Sequence, residues 1–173
     1  MRTTPLIESR LQKVLGISLL MFLCLSSLID AQELPPRPVV INVTAQTLSF
    51  GAFTHGVVGG TVTISSSGTR SSSGDVILLS LGYSYSTTRY EVIANPGTII
   101  SILNGPNVSL PGSNGGSILL TVGASDPVSP FVTSTPPPLP TYLDIGGTIT
   151  IGNTAANPPG SYSGTYDITF VQQ

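Results

Sequence analysis

A strict two-residue alternation of apolar and polar side chains is the feature that most constrains the fold of this chain. It is clearest in residues 160–173, where Gly160 follows two prolines and marks the start. Successive side chains of a β-strand point to opposite faces, so this segment is predicted to be one strand with one buried face. The residues on the apolar parity are Tyr162, Gly164, Tyr166, Ile168 and Phe170.

Residues 39–50 alternate as well, but the apolar parity changes within the segment. Val39, Ile41, Val43 and Ala45 lie on one parity, before Leu48 and Phe50 appear on the other. Such a change predicts a bulge, a bend or two short strands. Gly51, Gly56, Gly59 and Gly60 are then predicted to open the chain into loops.

Short segments of similar pattern fill most of the remaining chain, separated by Gly, Pro and Asn turns. The most apolar, residues 76–85, is predicted to be a central strand, whereas residues 65–74 and 126–140 are predicted to be a turn and a long loop. No helical period follows residue 31. The other predicted strands are residues 61–65, 89–93, 98–103, 107–110, 117–122 and 141–152.

Seven to nine short strands without helices predict an all-β fold of two antiparallel sheets packed face to face. An immunoglobulin-like Greek-key β-sandwich is the favoured architecture. A jelly roll or barrel is the alternative, because periodicity does not determine strand order.

Residues 1–31 have the order of a secretory signal peptide. Basic residues precede an apolar run over residues 14–28, which ends at Asp30-Ala31, and cleavage is predicted after Ala31. Residues 32–38 are a short lead-in, and residues 39–173 form a single domain. The protein is therefore expected in the periplasm, at the cell surface or outside the cell, with membrane contact only through the export signal.

The charges after residue 31 exclude several classes of partner. Three arginines, six acidic residues, no lysine and no cysteine remain there. So few cations do not neutralise a run of phosphates, which excludes nucleic acid. Without cysteine, neither a disulfide nor a thiolate metal site can form, and no cofactor is expected.

The ionisable side chains do not predict an active site. His55 is the only histidine and lies in a predicted loop. Glu91, Asp144 and Asp167 fall on polar faces of predicted strands, where solvated charges are usual. We therefore expect no catalytic residues, no metal ligands and no enzymatic activity.

Three tyrosines allow one alternative function. Tyr83 and Tyr85 share a parity and Tyr90 follows, so they could form an aromatic platform for a sugar ring. Packing within the sheets is the favoured interpretation, because strands are rich in tyrosine. An extracellular carbohydrate-binding module, with a glycan as partner, is the alternative.

Five short motifs carry a resemblance to a known family. In chain order they are Leu48-Ser49-Phe50-Gly51, residues 59–63, residues 68–70, residues 145–149 and residues 160–166. Together they resemble the bacterial secreted family known as domain of unknown function 4402, similar in pattern to spore-coat-protein-U-type and other fimbrial subunits. The resemblance implies a pilin-like sandwich at the surface of a Gram-negative bacterium, without enzymatic activity. Two features differ from fimbrial subunits, since no disulfide is present and the last aromatic is Phe170.

A structural or adhesive surface subunit, pilin-like or part of a coat, is thus the predicted function. Its expected partners are further copies of itself or other surface proteins. Strand exchange through residues 39–45 and a self-complete sandwich that attaches by another surface are the two expected modes of assembly. The candidate structural and assembly residues are Val39, Ile41, Val43, Phe50, Gly51, Gly146, Gly147, Gly160, Tyr162, Gly164, Tyr166, Ile168 and Phe170.

Overall fold

The computed structural model describes residues 38–173. The predicted signal peptide and residues 32–37 of the predicted lead-in lie outside the described residues. The described part contains strands and no helices, which confirms the all-β prediction. The strands are β1 Val40–Val43, β2 Ser49–Phe50, β3 Ala52–Ile64, β4 Arg70–Leu79, β5 Tyr85–Ser86, β6 Thr88–Ile93, β7 Ile99–Asn104, β8 Val108–Pro111, β9 Ser117–Asp126, β10 Phe131–Val132, β11 Thr141–Ile151 and β12 Ile168–Gln172.

Strand β11 is the centre of the largest sheet. This seven-stranded sheet has the order β1-β6-β11-β3-β4, with β9 also paired to β11 and β8 paired to β9. The predicted alternation of β11 is confirmed, because Leu143, Ile145, Ile149 and Ile151 are all buried. Three neighbours along one strand leave β11 with few free main-chain groups, so it fixes the relative positions of β3, β6 and β9.

Two smaller sheets complete the fold. One has the order β10-β7-β12 and the other pairs β2 with β5; every strand pair is antiparallel. The apolar core forms two clusters, one around Val62 and Ile149 and the other around Val92 and Leu143. Tyr166 packs against both clusters. The curled antiparallel sheets are those of a β-sandwich or barrel-like fold.

The prediction of one strand over residues 160–173 is wrong in extent. Only Ile168–Gln172 is a strand, whereas Tyr162 forms an isolated bridge with Gly112. The reason is that the segment changes partners: Ser161 and Ser163 bond to residues 113 and 111, but β12 pairs with β7 in another sheet. The predicted facing is nevertheless confirmed, because Tyr162, Tyr166, Ile168 and Phe170 are half-buried between exposed neighbours.

The parity change in residues 39–50 corresponds to two short strands, β1 and β2, in different sheets. Val39 and Ile41 pack against the second core cluster, as predicted. The prediction for Val43 is wrong, since its side chain is 73% exposed. The chain turns at the end of β1, where the Thr44 hydroxyl donates to the Arg89 carbonyl at 2.8 Å and points inward instead.

Two segments predicted as loops are strands. Residues 52–64 form one strand with a register shift between His55 and Gly60, so His55 and the glycines that follow it lie within β3. The turn predicted over residues 65–74 is shorter, because β4 begins at Arg70 and its serines pair with β3. Strand β4 pairs with β3 alone in the described part of the chain, so it is an edge strand and not the predicted central strand.

The long loop before β11 contains one short strand. Phe131 and Val132 pair with β7, and the buried Phe131 anchors the loop in the second core cluster. No helix in residues 38–173 is long and apolar enough to cross a membrane.

Candidate functional site

The predicted assembly residues lie mainly in the core rather than on one surface. Val39, Ile41, Ile168 and Phe170 pack against the second cluster, and Tyr90 and Phe170 contact each other edge to face at 5.2 Å. Phe50, Tyr162 and Tyr166 pack against the first cluster. Their side chains therefore stabilise the fold.

The predicted glycines allow close approach of the main chain. A Cβ atom on Gly146 would lie against the Ile64 carbonyl oxygen, and one on Gly147 would lie 2.9 Å from Leu48. Gly51 has φ +64°, a conformation that glycine adopts at little cost. Gly160 and Gly164 lie against Ser113 and Leu110, respectively.

Strand β12 has one open side within the described residues, because it pairs with β7 alone. Gly105 N donates to Asp167 O at 2.9 Å, and Gln173 N donates to Ile99 O at 3.0 Å. Main-chain hydrogen bonds alternate in direction along an antiparallel strand, so odd-numbered residues of β12 bond to β7. The main-chain groups of Ile168, Phe170 and Gln172 are directed to the open side.

A shallow polar cleft of about 450 Å³ lies where five segments meet. These segments are the connection before β2, the β3–β4 turn, β5 with the start of β6, the end of β9 and the first half of β11. Hydroxyl, amide and charged groups dominate its wall. The lining residues are Gln46, Ser66, Ser67, Gly68, Tyr85, Ser86, Thr87, Arg89, Asp126 and Asp144.

One wall of the cleft is a row of three charged residues on adjacent strands. Asp144 on β11 lies opposite Arg89 on β6 and also opposite Asp126 on β9. Residues directly opposite each other in an antiparallel pair have Cβ atoms about 4.5–5.5 Å apart on the same face. The sheet therefore places two carboxylates and one guanidinium side by side.

Arg89 and Asp144 form a bidentate salt bridge. Arg89 donates from Nε to Asp144 Oδ1 at 3.0 Å and from Nη2 to Oδ2 at 2.8 Å. The Thr87 hydroxyl donates to Oδ1 as well, at 3.1 Å. The hydrogen bonds and the negative charge of Asp144 raise the pKa of Arg89 above its ordinary value. Asp144 was predicted to be a solvated charge, and this was wrong because β6 places a cation opposite it.

Asp126 differs from Asp144 in its surroundings. Its side chain is exposed, and no hydrogen bond among residues 38–173 engages its carboxylate. Both hydrogen bonds that Arg89 donates to a carboxylate go to Asp144, and none goes to Asp126. Like charges opposite each other in a sheet are destabilising. Asp126 is therefore an unused hydrogen-bond acceptor at the cleft.

Gln46 and Tyr85 also line the cleft. The Gln46 amide donates to the Thr87 carbonyl at 3.1 Å and to the Thr87 hydroxyl at 3.0 Å. Tyr85 is 49% exposed, and the Arg70 guanidinium carbon lies 5.3 Å from its ring centroid. This cation–π contact holds the ring in place.

The remaining polar residues of the sequence prediction lie apart. The two ring nitrogens of His55 lie 3.0 Å from Asn157 O and 3.2 Å from Gly56 O. Asp167 is exposed, and Glu91 lies opposite Tyr142. In the part of the chain that the structure describes, no group of three or more His, Cys, Asp or Glu side chains could hold a metal ion.

The prediction that Tyr83, Tyr85 and Tyr90 pack within the sheets is confirmed for one of the three. Tyr90 packs against the second core cluster, but Tyr83 and Tyr85 are exposed. The cleft as a whole was not predicted from the sequence. The signal was the set of opposite charges on the polar faces of two predicted strands, but strand neighbours could not be inferred from the sequence.

By its fold, the protein belongs to the class of all-β domains with curled antiparallel sheets, and its core consists of two apolar clusters. Within that class, the chain belongs to the family described as Domain of unknown function (DUF4402), which matches residues 41–171. Neither the comparison with curated proteins nor that with solved structures gives a match. The family match confirms the resemblance at the level of that family.

Proposed function

We propose that this protein is an exported, non-enzymatic structural or adhesive subunit of a bacterial cell surface. In kind it resembles the pilin, fimbrial or coat subunits of Gram-negative bacteria. The order of basic, apolar and small residues in the leader supports export. The DUF4402 match over residues 41–171 supports the resemblance from which this role is inferred.

The open side of β12 is the observation that carries the structural role. Its outward main-chain groups can accept a strand from a neighbouring molecule, and such strand addition provides affinity through main-chain hydrogen bonds. Val171 on this strand is 36% exposed and adds an apolar contact. The edge is therefore a surface through which subunits can attach to one another.

The surroundings of the ionisable groups support a role without catalysis. Both oxygens of Asp144 are occupied by Arg89, and His55 lies against main-chain carbonyl oxygens. A general acid and base need two titratable groups that face one reacting atom. Asp126 and Asp144 lie side by side in the cleft, but Arg89 engages both oxygens of Asp144, so Asp126 has no second free carboxylate beside it.

Cell fractionation with surface labelling tests the proposal. The full chain is expressed in a Gram-negative bacterium, and an antibody against the folded domain is applied to intact and to permeabilised cells. We expect intact cells to be labelled and the detected protein to begin at Gln32. Retention of the uncut chain in the cytoplasm would refute the proposal.

An extracellular carbohydrate-binding module is the second candidate. The exposure of Tyr85 at the rim of a polar cleft favours it, because an exposed aromatic ring can stack against a sugar. The two candidates are compatible, since an adhesive subunit can attach to a glycan.

A further inference from the structure

We infer that the polar cleft is a binding site for a neutral saccharide, with Tyr85 as stacking platform and Asp126 as acceptor of sugar hydroxyls. This inference rests on the adhesive form of the proposed function and names its ligand. The cleft combines an exposed aromatic ring, a carboxylate without a hydrogen bond among residues 38–173 and a hydrogen-bonded polar wall.

The charge of the wall selects against anions. Asp144 engages the Arg89 guanidinium through both of its oxygens and offsets its charge, so the pair attracts an anion less than a lone arginine would. Asp126 adds an uncompensated negative charge directly beside the pair. A phosphate or an acidic sugar would meet this negative charge at Asp126, whereas a hydroxyl-rich neutral ligand would not be repelled there.

Asp126 has the chemistry that a sugar requires. An ionised carboxylate is an acceptor with two oxygens and needs donors. Two neighbouring hydroxyls of a sugar can donate to it, and hydrogen bonds to an ionised acceptor are stronger than those between neutral groups. Water occupies an open cleft at little cost, so the ligand must offer a second contact that water lacks.

Tyr85 supplies that second contact. Arg70 lies over the ring of Tyr85 at 5.3 Å and is itself held by the Leu79 carbonyl at 3.4 Å. The ring is thereby oriented before a ligand arrives, which reduces the entropy lost on binding. The C–H face of a sugar can pack on its exposed surface, as apolar groups pack on aromatic rings.

The hydrogen-bonded wall and the size of the cleft fit a small ligand. Gln46, Thr87, Asp144 and Arg89 form a continuous chain of hydrogen bonds from 2.8 to 3.1 Å. The volume of about 450 Å³ lies within the roughly 300–1,000 Å³ that is typical of small-molecule sites. A short neutral saccharide, or the end of a longer glycan, has the right size.

Binding measurements on the purified, exported protein test the inference. The probes are an array of neutral oligosaccharides that includes lactose, maltose, cellobiose and chitobiose, with galacturonic acid oligomers as anionic probes. Isothermal titration then gives Kd for the best probe. We expect a neutral probe to bind, and Tyr85→Ala and Asp126→Asn each to raise Kd by about tenfold or more, which corresponds to about 1.4 kcal/mol.

Two matched controls lie outside the cleft. Tyr83→Ala removes another exposed tyrosine, and Asp167→Asn removes another exposed carboxylate; both should keep the wild-type Kd. Urea unfolding of each variant checks that the fold is retained, and Asp126→Asn preserves side-chain shape if Tyr85→Ala does not fold. The inference is overturned if no neutral probe binds, if acidic probes bind best, or if the controls weaken binding equally. Surface labelling without sugar binding would refute this inference and leave the proposed function intact.

Discussion

Tyr166 joins the two apolar clusters, and it does so with one half-buried ring. The ring packs against both clusters, and its hydroxyl is hydrogen-bonded to that of Thr88. We expect Tyr166→Ala to destabilise the protein by about 3 kcal/mol, the lower end for a truncated aromatic residue. The neighbouring Thr165 is exposed, so Thr165→Ala should change stability by less than about 0.5 kcal/mol. Urea unfolding measures both, and equal losses would contradict the assigned faces.

Tyr90 makes stability dependent on pH in the alkaline range. Burial, with a smaller effect of the neighbouring Tyr166, raises the pKa of Tyr90 to about 12. The unfolded chain has a tyrosine pKa of about 10. Because the folded state holds the Tyr90 proton more tightly than the unfolded state, the protonated side chain contributes its full stability below about pH 10. This contribution is lost as the pH rises toward 12.

The substitution Tyr90→Phe isolates this effect. We expect the urea midpoint of the wild type to fall relative to that of Tyr90→Phe between pH 9 and pH 11.5. Tyr83→Phe, at a side chain that is 71% exposed, serves as the control and should follow the wild type. A constant difference between wild type and Tyr90→Phe across this range would contradict the assignment.

At the scale of the element, the bulge in β3 depends on glycine for two separate reasons. Gly59 has φ +77°, and a Cβ atom there would lie against the carbonyl oxygens of Ile151 and Gly152. Gly68, in the β3–β4 turn, has φ +80° but nothing within 4 Å of the same position. Gly68→Ala should therefore cost only the strain of a left-handed residue, about 1–2 kcal/mol. Gly59→Ala should cost clearly more, and urea unfolding of both proteins gives the difference.

Hydrogen bonds alternate in direction along β12, so substitutions in this strand can affect folding and assembly separately. Proline lacks an N–H group, so Gln172→Pro removes a donor on the open side and leaves the pairing with β7 intact. We expect this variant to lose concentration-dependent association in sedimentation while its urea midpoint stays close to that of the wild type. Thr169→Pro removes a donor to β7 and should lower the urea midpoint. Association that survives in Gln172→Pro would place the contact elsewhere.

Strand β11, the C-terminal segment and the bulge in β3 show which parts of the fold could be predicted from the sequence. Alternation identified the buried faces of β11 and of residues 162–170, because side-chain period depends only on local geometry. It did not show that residues 160–173 leave one sheet for another, since both halves keep the same parity. Gly59 and Gly60 look like loop residues but allow close contact with β11 and β4, which depends on distant strands. The cleft could not be predicted, because it depends on the strand order β6-β11-β9. That order results from pairing between residues far apart in the sequence.

At the scale of the whole molecule, the first strand decides how subunits can assemble. β1 pairs with residues 90–93 of β6 in its own chain, and Val39 and Ile41 cover the second core cluster. A strand that already fills its own sheet is not free to complete a neighbour. This pairing favours a self-complete sandwich that attaches by another surface over strand exchange.

Deletion variants decide between these two modes. Removal of residues 39–45 takes away β1 and uncovers apolar side chains of the second cluster, among them the half-buried Tyr90, so we expect a protein that fails to fold. Removal of residues 32–38 should leave the fold intact and serves as the matched control. The full chain should show only weak, reversible association in sedimentation, because edge contacts break readily in denaturant. Denaturant-resistant ladders that disappear when residues 39–45 are removed, from a domain that still folds, would instead establish strand exchange.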